Sequence, residues 1–136
     1  VSGGLTAIAE PVMALYQGKP VLAFRDILGN TDLQVKEYVN GKWSLLRKIN
    51  TDANTFGCCS DAGRIYVSSA GVGGIDLYEY DGKQWKDIDT SQFAKGSGCS
   101  LSMYQGKLMI GRLETDKKQQ NVMSEKMKHG LSWGVI

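Results

Sequence analysis

Histidine and proline are nearly absent from this sequence, which has one histidine, His129, and two prolines in 136 residues. A zinc site with the usual His and Cys spacing therefore has no support. A nucleophilic Cys–His pair would have to use His129, which stands in a stretch rich in Lys and Met, and we do not expect one. No glycine-rich phosphate loop precedes a helix, and no Asp cluster suggests calcium. We expect no catalytic residues, no metal and no cofactor.

The sequence also lacks long apolar runs and an excess of one charge. No apolar run reaches the roughly 18 residues that a membrane-spanning helix needs, so the sequence predicts no membrane span. The 16 basic and 14 acidic residues give a net charge of +2, which is too even to favour a nucleic-acid partner. With 42% hydrophobic and 22% charged residues, the composition is that of an ordinary folded chain, one domain at most.

Cysteine occurs three times, and two of the three are adjacent. A strand would send the side chains of Cys58 and Cys59 to opposite faces, so a bridge between them is not expected. Two alternatives stay open. All three cysteines are small buried apolar residues of a reduced protein, or Cys99 bridges to one of the pair, which would imply export. The compartment is undecided on this basis.

Glycine, in contrast, is abundant at 17 residues, and some glycines recur at a regular interval. A tryptophan follows a glycine-bearing turn three times, in VNGKW, DGKQW and HGLSW, with separations of 42 and 48 residues. A second set of turn glycines has separations of 45 and 43 residues. The two sets of markers are Trp43, Trp85 and Trp133, and Gly18, Gly63 and Gly106. Two independent markers in one phase indicate a structural repeat.

A period in the forties, built of short strands and tight turns, is typical of a propeller blade. We therefore predict an all-β fold of three four-stranded antiparallel blades, about twelve strands in all. The blades would span residues 10–52, 53–95 and 96–136, and residues 1–9 would supply a closing strand. In the third blade, residues 133–136 would form the fourth strand, and residues 121–126 the third. Composition alone also suits a short amphipathic helix within 115–129.

Three blades are fewer than the roughly four to eight of known propellers. Because an unpaired blade leaves a sheet face uncovered, the ring must be completed by other blades. We predict a homodimer that closes a six-bladed ring, or a chain that is half of a longer propeller.

Two segments carry a family resemblance. GKPVLAFRD followed by VKEYVNGKW, and later DLYEYDGKQW, resemble the repeat of bacterial and fungal propeller lectins. The resemblance implies a non-enzymatic, multivalent carbohydrate-binding protein with a glycan ligand, closed by self-association and secreted or extracellular. Fucose-binding members hold the sugar with an Arg in the second strand and a Glu in the third. The matching places here hold Leu22 and Val35, and Leu77 in the second unit, so the resemblance does not extend to fucose.

The repeated tryptophans are candidate sugar platforms, because an indole face can stack on a pyranose while polar neighbours bind its hydroxyl groups. The same tryptophans also suit packing between blades, and Arg25 with Asp26 also suits a surface ion pair. The predicted carbohydrate-binding residues are Trp43, Trp85, Trp133, Arg25, Asp26, Glu37, Tyr38, Asp76, Glu79 and Tyr80.

Two other functions remain as alternatives. Residues 64–85 resemble a Kelch repeat, with the pair Gly73–Gly74 followed by Tyr80 and a tryptophan, which would imply a protein-interaction propeller. The chain also suits a fragment of a larger propeller enzyme such as a glycoside hydrolase, since paired carboxylates can come from separate strands. Binding to glycans, or capture of one stoichiometric protein partner, separates these readings.

Overall fold

The computed structural model describes residues 10–25, 32–53, 55–71, 73–91, 96–114 and 131–135. Every regular element in these ranges is a β-strand, and paired strands run antiparallel, which confirms the all-β class. No helix capable of crossing a membrane lies in these ranges. The strands are β1 (Val12–Tyr16), β2 (Lys19–Arg25), β3 (Asp32–Val39), β4 (Lys42–Asn50), β5 (Thr55–Asp61), β6 (Arg64–Gly71), β7 (Gly74–Tyr80), β8 (Trp85–Ile88), β9 (Gly96–Tyr104), β10 (Lys107–Glu114) and β11 (Leu131–Val135).

The strands form three sheets in chain order. The first sheet is β1-β2-β3-β4, the second is β5-β6-β7-β8, and the third has β10 between β9 and β11. Four of the hairpins turn through two residues that both have positive φ, as in Asn40 (52°) and Gly41 (82°). This geometry matches the twist of antiparallel strands, and glycine adopts it without a steric penalty. The arrangement of these sheets as blades around a ring stays a prediction.

The third sheet departs from the predicted order. β11 pairs directly with β10, with Gly111 opposite Trp133, so it lies where β3 and β7 lie in the other sheets. The prediction that residues 133–136 form the fourth strand of this sheet is therefore wrong. The position of a strand within a sheet is set by backbone hydrogen bonding, and a tryptophan after a turn does not indicate which strand its own strand will pair with. The predicted third strand at 121–126 and the helix alternative within 115–129 lie outside the described residues.

The sheets stack face to face, and the second sheet is buried on both sides. In β6, Ile65 and Val67 pack against the first sheet, whereas Tyr66 packs with Leu77 and Leu108 on the side of the third sheet. This alternation follows from the two-residue period of a strand. The first sheet contributes buried apolar side chains to the same core, namely Val21, Ala23, Leu33 and Val35. Among the described residues, the apolar clusters on the two sides of the second sheet therefore share that sheet.

The first strands of the sheets lie side by side, since β5 packs beside both β1 and β9. The connection from β4 to β5 is held by Arg25, a buried side chain at the end of β2. Its guanidinium donates hydrogen bonds to the carbonyl oxygens of Ala53 (3.2 Å) and Asp52 (3.4 Å). Gly71 lies against the same connection, where an added Cβ would come 3.1 Å from the Cα of Ala53. This contact fixes how the second sheet follows the first.

The three cysteines are free thiols. Burial raises the pKa of Cys58 to about 12 and that of Cys59 to about 12, and the neighbouring Cys59 and Asp61 charges add to the respective shifts. Burial also raises the pKa of Cys99, whose Sγ accepts a hydrogen bond from the Ser68 hydroxyl at 3.2 Å. The packing thus holds these thiols in their neutral form.

We expect the thiols of the folded protein to react slowly with Ellman's reagent. Raising a thiol pKa from 9.0 to about 12 lowers its thiolate fraction at pH 8 about 1000-fold. The measurement is the rate of colour release at pH 8 in buffer, with the same protein in guanidinium chloride as the control. Equal rates in the two conditions would contradict the burial of Cys58 and Cys59.

Replacing Gly57 by Ala should destabilise the contact between the second and third sheets. The added Cβ would lie 2.5 Å from Ser68 Oγ and 3.1 Å from Leu101 Cγ, and overpacking of this kind costs about 1–3 kcal/mol. Gly73→Ala is the matched control, because nothing lies within 4 Å of its added Cβ. Urea unfolding followed by circular dichroism measures both. Equal losses in the two variants would rule out this explanation.

Candidate functional site

A polar and aromatic cluster lies at the seam between the first and second sheets. The Arg47 guanidinium carbon is 4.9 Å from the ring centroid of Tyr78 and 5.4 Å from that of Trp85. Its Nη2 is 3.4 Å from Asp87 Oδ1. The side chain of Arg47 is 26% exposed and that of Asp87 is 74% exposed, so the cluster is open to solvent. We call these four residues the Arg47 cluster.

Strand register explains why these residues meet. Tyr78 pairs with Asp87, and two residues along the same strands Tyr80 pairs with Trp85, so all four share the face that looks toward the first sheet. Arg47 reaches them from β4, where it lies opposite Val35 beside an irregularity in the β3–β4 register. The cluster therefore depends on both sheets.

Trp85 connects the two sheets through its ring and its N–H group. Its ring stacks on Tyr80 with centroids 5.0 Å apart, and its Nε1–H donates a hydrogen bond to the Leu46 carbonyl at 3.3 Å. Tyr80 in turn meets the ring edge of Tyr16 at 6.3 Å. These are the contacts of a residue that packs between sheets, which was one of the two roles considered for the repeated tryptophans.

The surroundings of the phenols at this seam disfavour their ionised form. Burial raises the pKa of Tyr78, and the carboxylates of Asp76 and Asp87 raise it further, whereas the Arg47 guanidinium acts in the opposite direction. Burial, Tyr16 and Glu37 raise the pKa of Tyr80. Both hydroxyl groups carry their proton at neutral pH, as an ordinary tyrosine also does.

A second, smaller set of similar chemistry lies at the seam between the second and third sheets. The Arg64 guanidinium, the Tyr66 hydroxyl and the Glu79 carboxylate lie near one another: Tyr66 and Glu79 raise the pKa of Arg64, and burial and Glu79 raise the pKa of Tyr66, against the opposite effect of Arg64. Arg64 is exposed, and Tyr66 is largely buried. Each described seam thus has a cation, a phenol and a carboxylate. Across the described ranges, no three His, Cys, Asp or Glu side chains gather as a metal site would require.

The predicted site residues fall into several groups. Four of them lie on the faces that meet at the seam between the first and second sheets, namely Tyr80, Trp85, Asp76 and Glu37. Glu37 follows Leu33 and Val35 in the alternation of β3, and Asp76 is exposed. Glu79 belongs to the second seam. Nothing in the described contacts tests whether any of them binds a sugar, so these assignments stay predictions.

The remaining predicted residues lie away from the first seam. Tyr38 and Trp43 contact each other on the opposite face of the first sheet, with centroids 5.2 Å apart and planes at 63°. Arg25 is buried and binds backbone carbonyl groups, so it is not at the surface. Asp26 lies outside the described residues, as does the side chain of Trp133, whose backbone is in β11.

The sequence reasoning missed Arg47, Tyr78 and Asp87. Tyr78 and Asp87 each lie two residues from a predicted site residue on the same strand, so the alternation of strand side chains was a signal that could have found them. Arg47 had no such signal, because the register irregularity in the β3–β4 pairing decides which face it takes.

No protein-family model matches the chain, and no curated protein matches it. Among solved structures, the chain is similar to a fucose lectin from Kordia zhangzhouensis, solved in complex with methyl-fucoside, with a TM-score of 0.54 and 15% sequence identity. The match covers 80% of this chain and 86% of that one. At this identity the likeness is one of fold. The chain therefore has an all-β fold similar to that of this lectin.

We expect Trp85→Phe to lower the free energy of unfolding by about 1 kcal/mol, because the ring contact is kept while the Leu46 carbonyl loses its N–H donor. Urea unfolding monitored by circular dichroism measures the change. Lys86→Ala, at the exposed neighbouring position, is the control and should change the stability by less than about 0.5 kcal/mol. A Trp85→Phe protein as stable as the parent would argue against a packing role.

Proposed function

We propose that this chain is a non-enzymatic, multivalent carbohydrate-binding protein with a lectin-like β-propeller fold, closed into a ring by self-association. The observation that carries the proposal is the Arg47 cluster. It combines a cation, a carboxylate and two aromatic rings at an open seam between two sheets, in a fold similar to that of a fucose lectin.

The sheet organisation supports the propeller part of the proposal. Two of the sheets are four-stranded antiparallel meanders, and the first strands β1, β5 and β9 are neighbours. Blades of a propeller are arranged in this way, with one strand of each blade close to the central axis and the faces of adjacent blades packed together. Seams between such blades open to solvent at their edges, where the Arg47 cluster lies.

The chemistry of the cluster suits a sugar. A planar guanidinium can donate two parallel hydrogen bonds to a pair of neighbouring hydroxyl groups, and the exposed Asp87 carboxylate can accept from another. Trp85 lies half-buried beside them and supports the guanidinium, since its ring contacts both Tyr80 and Arg47. The ligand that this combination fits is a neutral, hydroxyl-rich sugar ring.

The arrangement differs from the one expected for fucose. The arginine of the cluster comes from the fourth strand, and the places that carry the fucose-binding Arg and Glu hold Leu22, Val35 and Leu77. Leu77 faces the second seam and Val35 lies in the core. We therefore propose a sugar other than fucose. The second seam, with Arg64, Tyr66 and Glu79, would add a weaker site, and several weak sites gain strength through avidity.

Sugar binding should depend on Arg47. We expect a glycan array to identify a ligand, and isothermal titration calorimetry to show that Arg47→Met weakens its binding about tenfold or more, since a charged hydrogen-bond partner is lost. Lys48→Met is the matched control, because Lys48 lies on the same strand, faces away from the seam and pairs with Asp32. Its affinity should stay within about twofold of the parent.

Two results would contradict the proposal. Equal losses in Arg47→Met and Lys48→Met would move the site away from the Arg47 cluster. A negative result on a broad glycan array, with capture of one stoichiometric protein partner, would favour the protein-interaction reading instead.

A further inference from the structure

The strongly exposed large hydrophobic side chains of the described ranges all lie on two sheet faces. Met13 (63% exposed), Leu15 (65%) and Leu45 (55%) are on the face of the first sheet that is turned away from the second. Tyr104 (62%) is on the face of the third sheet that is turned away from the second. We call these the two outer faces. The inner faces, which pack at the seams, expose no comparable side chain in the described part of the chain.

The first seam shows how one sheet docks on the next. The hydroxyl of Tyr16, at the end of β1, donates a hydrogen bond to the Gly63 carbonyl in the β5–β6 turn at 3.0 Å. The Tyr16 ring meets the Tyr80 ring at 6.3 Å, and its hydroxyl is 3.0 Å from where a Cβ on Gly82 would lie. A single tyrosine of the first sheet therefore contacts two turns and the aromatic pair of the second sheet.

The tyrosine that the first sheet inserts into this contact, Tyr16, has a counterpart on the third sheet. Tyr104 ends β9 and precedes the turn Gln105–Gly106, just as Tyr16 ends β1 and precedes Gln17–Gly18. Both turns have the same two positive φ values within a few degrees, 49° and 75° in one and 49° and 72° in the other. Tyr104 thus has the place and backbone setting of Tyr16, but its side chain is exposed.

The aromatic pair and the turns of the second sheet that receive Tyr16 have counterparts on the first sheet. Tyr38 and Trp43 pair in register across β3 and β4, as Tyr80 and Trp85 do across β7 and β8. The turn glycines that match Gly63 and Gly82 are Gly18 and Gly41, and nothing lies within 4 Å of a Cβ built on either of them. The Tyr16 hydroxyl comes 3.0 Å from a Cβ built on Gly82, whereas the matching Gly41 has nothing within 4 Å, and the Tyr38–Trp43 pair lies on the outer face of the first sheet.

Tyr104 and the Tyr38–Trp43 pair belong to opposite ends of the stack. The second sheet packs between the first and the third, so Tyr104 cannot reach Tyr38 of its own chain. They can meet when the third sheet of one copy packs on the first sheet of another. Ser100 and Ser102, which share the outer face with Tyr104, are small and exposed, and leave room for the protruding Met13 and Leu15.

We propose that Tyr104 of one copy docks against the Tyr38–Trp43 pair of a second copy, donates its hydroxyl hydrogen to the Gly18 carbonyl of that copy, and so covers Met13, Leu15 and Leu45. The inference rests on the self-association in the proposed function and identifies the surface that carries it. The contact is head-to-tail, and two such contacts related by a twofold axis close a dimer of six sheets.

Solution mass with a complementing pair of variants tests the contact. Sedimentation velocity should give a dimer for the parent protein and monomers for Tyr104→Glu and for Leu15→Lys, because each places a charge in an apolar contact. An equimolar mixture of the two should recover a dimer, since one contact is then native and the other pairs the new carboxylate with the new ammonium. Lys83→Glu, on an exposed turn of the second sheet, is the charge-change control and should stay dimeric.

The hydrogen bond has its own test. Tyr104→Phe keeps the ring and removes the hydroxyl from both contacts of the dimer, so the dimer dissociation constant should rise about thirtyfold. Circular dichroism of each variant checks that it is folded.

The outcomes separate this inference from the rest of the proposed function. A parent dimer that survives both Tyr104→Glu and Leu15→Lys would overturn this surface and leave self-association in place. A monomeric parent would overturn both, and a mixture that stays monomeric would overturn the head-to-tail contact. Sugar affinity at the Arg47 cluster, measured on the Tyr104→Glu monomer, tests carbohydrate binding independently, because the cluster lies within one chain.

Discussion

The rest of the structure depends on the burial of the second sheet on both of its faces. In β6 the side chains alternate between two cores, and both cores are apolar enough to exclude water from Ser68 and Ser69. A sheet buried on both faces needs a partner on each side, so the first and third sheets are stabilised by the same strand. Loss of packing on one side of β6 would therefore be felt on the other, as expected of a stacked repeat.

This stacking also decides where polar chemistry can lie. Inside the stack a buried charge needs a partner, and the buried guanidinium of Arg25, at the end of β2, binds backbone carbonyl groups. Toward β4 and β8 the seam opens, and Arg47 and Asp87 can keep contact with water while lying on aromatic rings. Groups that could recognise a ligand are therefore at the outer edge of a seam whose interior is fixed by packing.

The sequence predicted the parts of the fold that depend on local pattern. The alternation in β3 and the two-residue turn at Asn40–Gly41 determine strands and hairpins without reference to the rest of the chain, and both are present. It failed for β11, because strand pairing depends on long-range hydrogen bonding, which a tryptophan marker does not encode. For the candidate site, the sequence predicted Tyr80 and Trp85 but missed Arg47. A register irregularity in the β3–β4 pairing determines the face on which the Arg47 side chain lies.

The same sequence marker has different surroundings in the first and second sheets, because the first sheet lies at one end of the stack and the second lies in its middle. Trp85 and Trp43 follow the same kind of turn and pair with the same kind of tyrosine, yet the first sheet covers the Tyr80–Trp85 pair, whereas the Tyr38–Trp43 pair faces away from the stack. The difference lies in position along the stack. The first sheet carries both Tyr16 and the Tyr38–Trp43 pair, the second carries the Tyr80–Trp85 pair with Asp61 at the place of Tyr16, and the third carries Tyr104. Among the described residues, Tyr104 on the third sheet and the Tyr38–Trp43 pair on the first sheet therefore lie at the two ends of an open array. Such an array removes its exposed apolar faces when its ends meet.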